Sequence, residues 1–495
     1  MERYVLSIDQ STQGTKAMLF DGKGKMVARE SLPHRQIVTE AGWVSHDPEE
    51  IHENVLKVAR LAVEKAGVDP GDIACVGLCN QRETSVAWNR ETGEPVCDAI
   101  VWQCARAAAV CAAVEKTGAG DMVRERTGIP ISPYFPASKF SWILQNAPGA
   151  RELADRGALC LGTVDAWLVW KLTGQHRTDY SNASRTQLFN IHTLQWDREV
   201  CAAFGIDPAA LPAVTDSDAV FGETDLGGLL PRKAPLCGVL GDSHASLFGL
   251  GCLEPGMTKA SYGTGSSIMM NTGAKAAVSR HGLVTSLAWK YQGQVSYVME
   301  GNINYSAAVI TWMKDDLHLI ASPAETEALA RAANPQDTTV LVPAFSGLGM
   351  PHWISGAKAM ICGMTRLTGR AELARAALDC IACQIHDVVE AMEKDTGIPI
   401  PLLRVDGGAS KNGYLMQFQS DILNAEVARA EGEELSGAGA AYMAGLSAGL
   451  YDDRVFESQT FRTWSPRCAE ADRASRLARW RNALALVKKD AENVR

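Results

Sequence analysis

In each half of this chain a short apolar strand runs straight into a turn rich in glycine and hydroxyl residues, and this recurring unit restricts the fold more than any other feature. Val5–Ile8 leads into Asp9-Gln10-Ser11-Thr12-Gln13-Gly14-Thr15-Lys16, and Ala17–Phe20 returns as a second strand, so a β-hairpin is expected to open the chain. A strand around Ser261 leads into Tyr262-Gly263-Thr264-Gly265-Ser266-Ser267. A strand ending near Val405 leads into Asp406-Gly407-Gly408-Ala409-Ser410-Lys411-Asn412, ahead of a helix expected from about Gly413. Helices alternate with the strands. Asp47 as N-cap and Pro48 as first helical residue start one whose apolar positions Ile51, Val55, Val58 and Ala62 share a face, and a second covers Glu372 to Lys394. Such alternation predicts an α/β architecture.

At 495 residues the chain exceeds what one hydrophobic core serves, about 250 to 300 residues, so two domains are expected. The boundary is placed near Leu247, giving domains 1–246 and 247–495 with a cleft between them. Several function classes drop out on composition. No stretch is apolar for the roughly 20 residues a membrane helix needs. Met1 to Asp9 lack the pattern of a secretory leader, and the 13 scattered cysteines suit a reducing compartment, so the cytoplasm is expected. The net charge of −9 opposes a nucleic-acid backbone but not a nucleotide held by backbone amides.

The three turns are the candidate phosphate sites. In the first, the hydroxyls and amides of Thr12, Gly14 and Thr15 together with Lys16 can bind phosphate oxygens, while Asp9 can hold Mg²⁺ directly or through water. Gly263, Thr264 and Gly265 offer a second cradle, and Gly407, Gly408 and Asn412 a third at a helix N-terminus. Each alone also reads as an ordinary turn; their recurrence in both halves is what points to a nucleotide. No Walker A loop and no G-x-G-x-x-G is present, so the P-loop and dinucleotide classes lose their main support. Asp242 follows the apolar run Leu236 to Leu240 and is expected at a strand end, either as a base for a hydroxyl proton or as a helix N-cap. Arg82 and Glu83, directly after the strand Ile73 to Leu78, can hydrogen-bond vicinal hydroxyls, with Trp102 and Tyr134 as apolar walls. Cys380 and Cys383 form a C-x-x-C inside an apolar helix and read as core.

With these residues in view, the chain resembles the FGGY family of carbohydrate kinases along nearly its whole length, most closely the branch that phosphorylates glycerol. The matching segments are Gly42 to Pro48 (GWVSHDP), Asn80 to Thr84 (NQRET), Ile100 to Cys104 (IVWQC), Thr178 to Thr186 (TDYSNASRT) and Leu403 to Asp421 (LRVDGGASKNGYLMQFQSD); Tyr134 to Asn146 and Ala359 to Asp379 fit the two family signatures. The resemblance implies an actin-like, RNase-H-type fold in each half, ATP and Mg²⁺ as cosubstrates, and a homodimer or homotetramer. It implies Asp9 as the Mg²⁺-associated carboxylate, with Asp242 as a further metal contact and the catalytic base. Arg82, Glu83, Trp102 and Tyr134 are implied for the polyol or sugar, Thr12, Lys16 and Thr264 for phosphates, and Gly408 and Asn412 for adenosine.

Four departures bear on specificity. Ser243 and Ser267 stand where the glycerol-phosphorylating branch has Gln and Phe, and Ala307 and Thr311 where it has Gly and Gln on the adenosine side. Loss of bulk at Ser243 and Ser267 predicts a longer, more polar pocket and a polyol or ketose of four or five carbons. The alternative is glycerol itself, with neighbouring side chains or a water filling the space. An actin-like ATPase without a small-molecule acceptor is a remote alternative, since it has no need of the Arg82, Glu83, Trp102, Tyr134 and Asp242 set.

Overall fold

A computed structural model describes residues 3–493; residues 1–2 and 494–495, which include the outer ends of both expected domains and part of the expected leaderless start, lie outside the described residues. Two large mixed sheets carry the fold. The first contains β1 (Tyr4–Gln10), β2 (Gly14–Phe20), β3 (Met26–Pro33), β4 (Ile73–Asn80), β5 (Val220–Thr224) and β6 (Ala234–Gly241), in the order β5-β6-β4-β1-β2-β3. β1 to β3 form an antiparallel meander, and β4 and β6 add in parallel on the other side of β1. The helices of this half that bear on the site are α1 (Pro48–Ala66), α2 (Pro136–Asn146), α3 (Tyr180–Ser184) and α4 (Asp242–Gly249). Asp47 caps α1 as its sequence requires, accepting the N–H groups of Glu49 and Glu50, and Ile51, Val55, Val58 and Ala62 are buried against the sheet.

The second sheet repeats the plan. It contains β7 (Thr258–Tyr262), β8 (Ser266–Gly273), β9 (Val284–Tyr291), β10 (Gln294–Ile303), β11 (Leu402–Asp406), β12 (Glu426–Ala430) and β13 (Phe461–Trp464), in the order β9-β10-β8-β7-β11-β12-β13. Antiparallel strands β7, β8, β10 and β9 lie on one side, and β11 and β12 add in parallel on the other. Its helices are α5 (Ala308–Asp315), α6 (Glu325–Ala332), α7 (Arg370–Thr396), α8 (Gly413–Leu423), α9 (Leu435–Ser447) and α10 (Glu470–Asn493). Cys380 and Cys383 are buried in α7, as expected of core residues. Among the described residues no helix is long and apolar enough to cross a membrane.

The two halves interlock. α9 follows β12 in the chain yet packs on β1, β4 and β6 of the first sheet and across α4. The α4–α9 crossing is a glycine contact: a Cβ on Gly439 would fall 1.8 Å from the Ala245 carbonyl oxygen, and one on Gly249 2.8 Å from the Gly439 nitrogen. Leu247, expected at the boundary between domains, lies inside α4 and is fully buried. The helix that begins with Asp242 is thus held against both sheets.

Candidate active site

The strand ends of both sheets meet at one place. Asp9 and Lys16 are cross-strand partners in β1 and β2, with Lys16 Nζ 3.8 Å from Asp9 Oδ2. The turn is shorter than the eight residues expected. Gln10 pairs with Thr15, because β4 offers β1 a parallel partner as far as Asn80 and keeps the ladder going. Ser11 closes the turn, its N–H and hydroxyl both donating to the Gly14 carbonyl at 2.9 Å. Lys16 also donates to Glu434 Oε2 at 2.5 Å, and Arg29 pairs with Glu434 Oε1 at 2.6 Å. Burial pushes the Asp9 carboxyl up to about 6 against the opposing pull of Lys16, with Asp242 and Glu434 adding to the rise. Asp9 Oδ1 and Thr15 Oγ1 are buried with no hydrogen-bond partner among the described residues. Buried polar atoms without a partner call for a water or a bound group, and these two lie on the facing strands of one hairpin.

Asp242 stands where β6 passes into α4. Gly241 occupies the cap position and Asp242 is the first helical residue, so the expected N-cap role is not what its side chain does. Asp242 Oδ1 accepts the Ser243 N–H at 2.6 Å and lies 3.3 Å from Arg82 Nε. Its side chain is 33% exposed, whereas that of Arg82 is 5% exposed, so Asp242 is the member of the pair open to a reactant. Gly241 makes room for this arrangement, since a Cβ there would fall 2.6 Å from Arg82 Cγ and Cδ.

Arg82 is fixed from the opposite sheet. Glu300, fully buried on β10, accepts from Arg82 Nη1 at 3.1 Å and Nη2 at 2.9 Å, a two-pronged pairing. Arg185, just after α3, places Nη1 2.8 Å from Glu300 Oε2 and donates through Nε to Glu83 Oε1 at 2.6 Å. Burial alone would raise the Glu300 carboxyl, but Arg185 and Arg82 hold it well below the usual carboxylate range. Glu83 sits at φ 63, a conformation disfavoured for a non-glycine residue and retained here by the surrounding pairs. Five donors on each guanidinium leave Arg82 one N–H on each terminal nitrogen for a bound hydroxyl. Sequence reasoning missed Glu300 and Arg185. The available signal was a Glu directly after the apolar run Tyr297 to Met299.

Trp102 and Tyr134 meet with ring centroids 5.5 Å apart. Lys139 of α2 is fully buried and donates to the Tyr134 carbonyl at 2.5 Å. Ser243 begins the first turn of α4 beside Asp242. Ser267, expected to turn a hydroxyl into the pocket, instead donates it to Glu300 Oε1 at 3.1 Å.

On the other side of the site the 263–265 turn is fastened to the start of α5. The carbonyl of Gly263 accepts from Ala307, and that of Thr264 from Ser306 and Ala308. Thr264 is exposed, as is Thr311 on α5. Gly265 admits the Ile303 carbonyl, 2.5 Å from where a Cβ would stand. Gly407, at φ 92, brings its backbone against Tyr262, with a Cβ position only 2.4 Å from that carbonyl, an approach that requires glycine. Gly408 faces open space. Asn412 uses both side-chain atoms within the protein, accepting the Leu415 N–H and donating to Thr326 Oγ1, each at 3.0 Å.

Two family models for the FGGY family of carbohydrate kinases match the chain, the N-terminal domain over residues 4–249 and the C-terminal domain over residues 258–448. The chain belongs to that family. It is accordingly an ATP-dependent phosphotransferase that acts on a sugar or polyol. Among curated proteins, glycerol kinase 2 of Thermotoga maritima is 46% identical over 489 residues, covering 97% of this chain and 98% of its own length. Glycerol kinase of Caldanaerobacter subterraneus is 44% identical over 497 residues, 99% of this chain and all of its own length, 100%. Among solved structures, Plasmodium falciparum glycerol kinase with ADP superposes with a TM-score of 0.93 at 33% identity, covering 98% of both chains. Gluconate kinase from Lactobacillus acidophilus, at 21% identity over 99% of both chains and a TM-score of 0.89, shares the fold.

Proposed function

We propose that this kinase transfers the γ-phosphoryl group of ATP to glycerol, with Asp242 as the base. The observation that carries the base assignment is the Asp242–Arg82–Glu300 chain, in which an accessible carboxylate is held by a buried arginine that is itself anchored on the opposite sheet. A hydroxyl seated on the free N–H groups of Arg82 lies within reach of Asp242 Oδ, which accepts its proton as the oxygen attacks phosphorus. Phosphoryl transfer asks a protein mainly for positioning and charge neutralisation. Glu83 accepts a second hydroxyl, and Trp102 and Tyr134 cover the carbon chain.

Glycerol replaces the four- or five-carbon acceptor expected from Ser243 and Ser267. Support comes from the glycerol kinases that share 44–46% identity over nearly the full chain, and from Ser267, whose hydroxyl proton is committed to Glu300. The relatives named for other sugars support only the fold.

For ATP, the 9–16 hairpin and the 263–265 turn hold the phosphates through Thr12, Gly14, Thr15, Lys16, Gly263, Thr264 and Gly265. Ala307, Thr311, Gly407 and Gly408 border the nucleoside, while Asn412 shapes that border as the cap of α8. The residues present fit Mg²⁺, which is commonly bound through one or two carboxylates plus substrate phosphates. Asp9, with its orphan Oδ1, and Asp242 would hold it, and the ion would supply neutralisation of phosphate charge. Among the described residues no cluster of three or more metal-ligating side chains exists.

A panel of kcat/KM values on glycerol, tetritols, pentitols and pentuloses tests the acceptor. Glycerol should rank first, and a clear preference for a five-carbon acceptor would overturn it.

A further inference from the structure

In the second half, α6, α7, α8 and α10 line a cavity of about 440 Å³, in the range of small-molecule sites. None of the residues proposed above for ATP, metal or acceptor lines it. Its walls mix polar and apolar groups, with Phe418 and Trp480 as apolar aromatic surfaces. Its polar groups are unevenly matched. Arg375 is occupied by Asp337, at 3.4 Å, and by the carbonyls of Asn334 and Asp337. Arg476 lies over the Phe418 ring at 5.2 Å, and neither it nor Arg479 has a hydrogen-bond or ion-pair partner among the described residues. The one carboxylate between them, Asp379, accepts the Tyr414 hydroxyl at 2.9 Å, and burial pushes its carboxyl up to about 6. Asp337 is taken up by Arg375, so two half-buried guanidiniums without a hydrogen-bond partner face a ligand-sized space with only Asp379, whose charge burial opposes, to offset them.

We propose that this cavity binds a small organic anion, with a phosphate or carboxylate headgroup on Arg476 and Arg479 and an apolar body against Phe418 and Trp480. Arginine is suited to such headgroups because its fork matches two oxygens at once.

The site is wired to the nucleotide side. Arg331, at the cavity rim, pairs with Glu327 Oε1 at 2.7 Å, and Glu327 Oε2 accepts the Gly413 N–H at 2.9 Å. Gly413 and the cavity residue Tyr414 open α8, directly after the 407–412 turn. An occupant that shifts Arg331 or Tyr414 moves that turn, so binding should change the KM for ATP. This coupling rests on assigning the turn to ATP; the binding itself does not.

Calorimetric titration of the full chain, saturated with ADP and glycerol to block the active site, provides the test. The probes are phenyl phosphate and benzoate, with inorganic phosphate and phenol as controls for headgroup and ring alone. At least one of the two anions should bind more tightly than either control, and the Arg476→Ala/Arg479→Ala variant should bind it about tenfold more weakly or worse. The paired Arg→Lys variant, which keeps charge but loses the fork, should fall between. Thermal unfolding of each variant without probe checks that the fold is intact. No binding of either anion to the wild type, or equal binding in the Ala variant, would overturn the site. Binding that leaves the KM for ATP unchanged would retain the site and overturn the coupling.

Discussion

The indole N–H of Trp102 donates to Thr12 Oγ1 at 2.9 Å, which ties a wall of the acceptor pocket to the turn proposed for phosphate. The two cosubstrate sites therefore share a hydrogen bond. Replacing Trp102 by Phe keeps a ring beside Tyr134 but frees Thr12. The expected result is a rise in the KM for both glycerol and ATP with a fall in kcat, such that kcat/KM for each cosubstrate drops about three- to tenfold, since one neutral hydrogen bond is worth about 1 kcal/mol. Steady-state kinetics with each cosubstrate varied in turn measures it; a change confined to glycerol would mean the two sites are not joined there.

Glu300 sits among Arg82, Arg185 and Ser267, and its loss removes the anion that two buried guanidiniums share, leaving Arg185 with Glu83 and Arg82 with Asp242. Removing one partner of a buried pair costs about 3 to 5 kcal/mol. Glu300→Gln should lower the thermal midpoint by several degrees and raise the KM for glycerol, because Arg82 is then free to leave its place. Glu300→Asp, which retains the charge, should recover part of both.

Lys139 supplies a pH signature. Burial drives its ammonium from the ordinary 10.5 down to about 7. Below about pH 7 the folded protein must bury the charged form. Between about 7 and 10.5 the unfolded chain holds a proton that the folded chain does not, so stability rises with pH through that window, by at most about 1.4 kcal/mol per pH unit. In Lys139→Met this contribution vanishes. Its denaturation midpoint relative to wild type should be most favourable at and below about pH 7 and should lose that advantage toward pH 10. A difference independent of pH would show that Lys139 stays charged in the fold.

The glycine crossing of α4 and α9 positions Asp242 from outside the site. Gly439→Ala forces a methyl group against the Ala245 carbonyl, and overpacking of this kind costs about 1 to 3 kcal/mol. Both thermal stability and kcat should fall, with the KM for ATP nearly unchanged.

Local pattern made much of this architecture readable. The first hairpin, the Asp47-Pro48 helix start and the helix at Gly413 follow from caps, periodicity and turn residues close in sequence. What could not be read joins distant segments. Glu300 reaches Arg82 across 218 residues, and Lys16 meets Glu434 across 418. No local periodicity encodes such pairings. The partner of Ser267 is hidden for the same reason: its small size is visible in the sequence, while the Glu300 that takes its hydroxyl lies on another strand.

Asp242 is the residue on which the reaction rests. Single-turnover phosphorylation of glycerol by Asp242→Asn, alongside calorimetric binding of ADP to the same protein, separates chemistry from nucleotide affinity. The rate should fall by about 10² to 10⁴ while ADP affinity stays within about threefold of wild type. A rate within about threefold of wild type, with ADP binding intact, would remove Asp242 as the base.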